Sequence, residues 1–115
     1  MSRSLQTEQV KLKLMHVMFD ASEGASPTAQ GFDRYGISSI SKSTTGTFVI
    51  VFRKHFERAP RAIASVFGDQ NRYAIVTALA TDRVTVEVRR RDDQSLIDDG
   101  IVDLMILGSN NRFDV

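Results

Sequence analysis

Residues 44–52 read TTGTFVIVF, and this stretch decides the fold class. Phe48, Ile50 and Phe52 fall on one side of an extended chain, with Thr47, Val49 and Val51 on the other. Successive side chains of a strand point to opposite faces, so the spacing predicts a strand that is apolar on both faces. Such a strand is covered on both sides, in a sandwich or at a subunit interface. Gly46 leads into it as the turn residue, and Arg53, Lys54 and His55 close it.

Similar signals recur on either side. VKLKLMHVMF from Val10 alternates Val10, Leu12 and Leu14 with Lys11 and Lys13, which predicts a half-buried strand with those apolar residues inward, a helix being the competitor because Leu, Met and Lys are good helix formers. ISSIS (37–41), RAIASVF (61–67), YAIVTALA (73–80), RVTVEVRRR (83–91) and IVDLMIL (101–107) continue the series. Val84, Val86 and Val88 are expected to point inward, and Thr85, Glu87 and Arg89 outward. Pro60 has no N–H to give to a ladder, so it marks a strand entrance or an edge. Turn signals every 8–12 residues or so are those of an antiparallel sandwich or barrel.

The expected architecture is therefore all-β: a single antiparallel β-sandwich, jelly-roll-like, of about seven to eight strands with an extended N-terminal arm. Residues 1–9 form the arm, 10–108 the sandwich domain and 109–115 a C-terminal tail. DASEGASPTAQGFDRYG (20–36) is a connection far longer than the roughly 4–6 residues usual in compact domains, and such loops tend to be functional. Phe32, Arg34 and Tyr35 at its end are candidates for contact with another molecule.

Composition narrows the function. At 115 residues the chain fits one domain, and its 42% hydrophobic content supports a packed core. The charge balance of 15 basic to 14 acidic residues argues against a nucleic-acid partner, whose phosphates call for a basic excess. The lack of cysteine excludes disulfides, thiolate ligands and cysteine nucleophiles. No apolar run approaches the roughly 18 residues of a membrane helix, and the N-terminus has no signal-peptide pattern. These features predict a chain made in the cytoplasm and kept soluble, with no membrane partner.

Chemistry finds little support. His16 and His55 are the only histidines, and nothing in their spacing suggests zinc. Asp92, Asp93, Asp98, Asp99 and Asp103 offer hard oxygen ligands but not the EF-hand spacing. There is no GxSxG elbow, no GxGxxG and no GxxxxGK loop. We expect no enzyme, no cofactor and no metal. Asp103 alternates with Ile101, Met105 and Leu107. Buried, it needs a partner, for which a nearby arginine is the natural candidate; exposed, its face meets another chain. Among the basic residues, Arg89 and Arg91 share a strand face and could dock on an acidic protein surface.

TGTFVIVFRKHFERAPRAIAS, followed by RVTVEVRRRDDQSLIDDGIVDLMILG, resembles a pattern of tailed-bacteriophage virion proteins. Its marks are Gly46–Phe48, Phe56, Ala59–Pro60, Ile63–Phe67, Val84–Val88 and Ile101–Gly108. HVMFDASEGASPTAQGFDRYGI is similar to the lead-in of small phage structural proteins with this rhythm. The resemblance implies a head decoration (cement) protein on the capsid surface of the virion. Its partners would be the major capsid protein and further copies of itself, a trimer over a local three-fold axis being the favoured oligomer. A tail-fibre or tail-spike tip domain with lectin-like receptor binding, or a baseplate component, are the alternatives. On the decoration reading, Leu5 in the arm and Phe32, Arg34 and Tyr35 in the loop reach neighbouring subunits. Val49 and Val51 supply the oligomer interface, and Arg89 and Arg91 an acidic docking partner.

Overall fold

The computed structural model describes residues 11–68 and 71–110. Leu5, Val10 and the expected arm lie outside them, as does the chain beyond Asn110. Seven strands form: β1 (Lys11–Asp20), β2 (Ile37–Thr44), β3 (Thr47–Phe52), β4 (Arg61–Phe67), β5 (Arg72–Leu79), β6 (Arg83–Arg90) and β7 (Ile101–Asn110). They build two antiparallel sheets, ordered β1-β7-β4 and β2-β3-β6-β5. The protein is an all-β, two-sheet sandwich.

The core follows from strand alternation. Phe48, Ile50 and Phe52 of β3 and Val84, Val86 and Val88 of β6 are buried from the four-stranded side. Met15, Val17 and Phe19 of β1, with Val102, Leu104 and Ile106 of β7, meet them from the other. The Phe19 and Phe48 rings bridge the sheets, their centroids 5.1 Å apart. Phe52 stands edge-on to Phe56 at 5.2 Å. Pro60 is buried immediately before β4, at the strand entrance that its missing N–H requires.

One strand is turned over relative to expectation. Leu12 and Leu14 are 70% and 56% exposed, whereas Met15, Val17 and Phe19 are buried. The lysines made Leu12 and Leu14 look like the inner face. From Leu14 onward, however, one parity carries His16 and Asp20 while Met15, Val17 and Phe19 form a wholly apolar set, and the core takes that set. A shift of one residue exchanges every side chain between the faces, so the inversion is complete.

Two local devices fix the edges. Thr44 pairs with Thr47 across a turn in which Gly46 has φ +73°. A Cβ there would lie 2.8 Å from the Ile97 nitrogen and from Leu96 Cβ. Gly46→Ala is therefore expected to cost roughly 2–4 kcal/mol, combining left-handed strain with overpacking. A chemical denaturation midpoint checks it. Beside this turn, Asp98 accepts hydrogen bonds from the Gly46 N–H (2.6 Å) and Lys42 Nζ (2.8 Å).

Partial burial pushes the Asp98 carboxyl up, but the Lys42 ammonium and the Gly46 N–H together outweigh it and hold the group below its ordinary value. A lowered folded value stabilises the protein above the ordinary carboxylate range, about 3.9, and the effect fades as pH falls through the folded value. Asp98→Ala should thus cost about 1–3 kcal/mol at neutral pH. The gap between variant and wild type should narrow as pH falls through the lowered folded value. Paired urea melts at neutral and acid pH test this.

The long 20–36 connection is tied to the edge of β1. Met18 and Gln30 exchange backbone hydrogen bonds of 2.9 and 2.8 Å, and the Asp33 N–H donates to the His16 carbonyl at 2.9 Å. The Asp33 carboxylate accepts the His16 N–H at 2.8 Å. The loop, ending in a 3-10 turn at Arg34–Gly36, occupies the edge groups that would otherwise invite another strand.

Candidate assembly surface

Register places the outward side chains of the three-stranded sheet in rows. Leu14 faces Leu107, which faces Arg61; His16 lies beside Met105, and Met105 beside Ile63. The next rows hold Met18, Asp103 and Ser65, then Asp20, Ile101 and Phe67. Ile63 and Phe67 are 74% and 66% exposed, and Met105 and Leu107 nearly half so. Inward neighbours on the same strand, Val102, Leu104 and Ile106, are wholly buried. Leu14, Arg61, Ile63, Met105 and Leu107 enclose a shallow apolar groove of about 280 Å³.

Most of the large apolar side chains that stay exposed among the described residues sit here, with Phe32 alongside; Tyr35 and Ile75 are the others. Single exposed hydrophobics are ordinary, but a contiguous patch marks a surface that meets another molecule. Strand β4 adds to this, because it carries no charge from Ala62 to Phe67. Natural edges are usually guarded by charge.

At the centre of the face is a polar pair. His16 Nε2 lies 2.6 Å from Asp103 Oδ1. The arginine expected beside Asp103 is not its partner: Asp103 lies on the outer face, and across β1 and β7 the nearest polar side chain is the histidine. The Phe32 ring, 90% exposed, leans on His16 at 5.2 Å between centroids.

The other outer face is different in kind. Val49 is flanked by Ser41 and Thr85, and Val51 by Ser39 and Arg83. Both valines are half-buried among polar neighbours, Arg83 included, and lie on the outer face of their sheet. Arg89 bonds Glu87 (2.9 Å) and the Gln94 carbonyl (2.6 Å), so it is engaged within the chain. Arg91 lies past the end of β6, its guanidinium 5.6 Å from the Tyr73 ring centroid. Arg34 covers the Tyr35 ring at 4.6 Å and donates to its hydroxyl at 3.0 Å. The structure thus gathers Phe32 to the apolar face and leaves Val49, Val51, Arg89 and Arg91 on or near the polar sheet.

No family model, characterised protein or solved structure matches this chain. What the surface can do follows from its own chemistry. Among the described residues no three His, Cys, Asp or Glu side chains converge to hold a metal, and no helix is long and apolar enough to cross a membrane. A second cleft, of about 790 Å³, has Arg72, Tyr73 and Arg91 on its wall. Its cations are held: Arg72 Nη2 lies 3.0 Å from Asp99, and Arg91 rests on Tyr73.

Sequence reading did not place Leu12, Leu14, Ile63 or Phe67 on this face; it did place Ile101, Met105 and Leu107 beside Asp103, on a face that meets another chain if exposed. A signal existed in IVDLMIL, where both parities are apolar. None existed in RAIASVF, where the larger residues point out and Ala62, Ala64 and Val66 point in.

Proposed function

We propose that this protein is a non-enzymatic structural component of a tailed-phage particle, a head decoration protein that attaches to the major capsid protein shell as a symmetric oligomer. Copies of the chain meet through the outer face of β1-β7-β4. The apolar face carries this reading. Apart from the mid-face His16–Asp103 pair, whose two groups bond each other, its middle rows are apolar, and the described surface of like character is this face itself. The serine- and threonine-lined outer face of the other sheet suits water. The phage context and the favoured trimer come from the sequence resemblance.

Shells stripped of decoration and incubated with purified protein test the reading. Wild type is expected to saturate a fixed set of lattice positions, and a variant with a charged outer face to bind many-fold more weakly, because single copies lose avidity. Equal occupancy by both would overturn it. One observation favours the receptor-binding alternative: Phe32 and Tyr35 are exposed rings next to Arg34. Glycan binding that is lost in Tyr35→Ala supports that alternative instead.

A further inference from the structure

We infer that self-association through this face takes up a proton at the His16–Asp103 pair, so that acidification tightens it. The inference rests on the assembly reading of the same face. The pair sits mid-face, between the Leu14–Leu107 row and the Ile101–Phe67 row. The Phe32 N–H points at His16 Nδ1 from 3.4 Å, which requires a lone pair on Nδ1 and leaves the ring hydrogen on Nε2, toward Asp103. Gly31 lets the chain pass this close: its φ is +98°, and a Cβ there would lie 3.0 Å from Nδ1.

In that state the imidazole is neutral and the pair carries one net negative charge. On the open face water and salt screen it. Covered by a second copy, it becomes a buried, uncompensated charge, among the costliest groups to desolvate. One added proton turns the pair into a net-neutral ion pair. The two groups share that proton as a unit, so its formal location does not matter. The Phe32 amide displaced from Nδ1 is exposed and can turn to water. Arg34 of the 3-10 turn, which packs on β1, is held over the Tyr35 ring. From the loop, Asp33 accepts the His16 backbone N–H; from β1 and β4, Asp20 and Arg61 stand at opposite ends of the face. From β7, Asp103 is the titratable group that faces it.

Sedimentation equilibrium of the full chain between about pH 8 and pH 5.5, the interval in which imidazoles gain protons, tests this. The wild-type association constant should rise on acidification by up to about tenfold per pH unit for each pair buried, the limit for one proton. Asp103→Asn should associate more tightly than wild type at the alkaline end and lose the dependence. His16→Gln should lose it too, while His55→Gln, at an exposed position off this face, should keep it. Thermal melts confirm that each variant is folded. Association of constant strength across the range, or a tightening on acidification that survives Asp103→Asn, overturns the inference while sparing the assembly reading. A wild type that stays monomeric at every pH overturns both.

Discussion

Replacing Ile63 and Leu107 together by glutamate is expected to leave the sandwich folded and to abolish self-association. Both side chains point away from the core, and both border the apolar groove of the outer face. Burying an aliphatic side chain of this size is worth about 1.5–3 kcal/mol, and each copy loses that at two positions while gaining two charges to desolvate. The association constant should fall more than about 100-fold, since every 1.4 kcal/mol is a factor of ten. Stability should move little, because exposed substitutions usually stay within about 0.5 kcal/mol. Size-exclusion chromatography with light scattering, run beside a thermal melt, separates the two effects. Glutamate at Leu104 and Ile106, the inward neighbours on the same strand, should unfold the protein.

The second large effect lies in the stretch TTGTFVIVF. Phe48→Ala should destabilise the fold by about 3–5 kcal/mol, the usual cost of deleting a buried ring and leaving a cavity. Phe48 is fully buried and joins the two sheets through Phe19, so neither sheet can close the space alone. Against a total stability of about 5–15 kcal/mol this is a large fraction. Phe67→Ala provides the contrast: the same chemical change on a side chain 66% exposed should cost well under half as much. Urea midpoints of the two variants, measured together, show whether burial or residue size sets the cost.

The sandwich was legible because period-two alternation survives in VTVEV and TFVIVF, where one parity is plainly inward. The inner face of β1 was not, because VKLKL and LMHVMF give opposite answers and only the opposing sheet decides between them. In β7 the alternation with Asp103 posed the right question, whether that face is buried or meets a partner. Its answer depended on His16, eighty-seven residues away in the chain, and no local pattern links the two. In β4 the alternation was inverted in size, with alanines inside and Ile63 and Phe67 outside. A protein that needed only to fold would gain nothing from that arrangement. It suits the proposed assembly face, in which these larger side chains would be covered. The loop rings were read as candidates for contact; the structure shows that Phe32 rests on His16, beside the apolar face.

The mass of the native particle in solution tests the central claim most directly. Sedimentation velocity of the untagged chain is predicted to give a species at a whole-number multiple of 12.8 kDa. That species should collapse to a folded 12.8 kDa monomer when Ile63 and Leu107 are both glutamate. A wild type that sediments as a 12.8 kDa monomer up to its solubility limit would contradict the account.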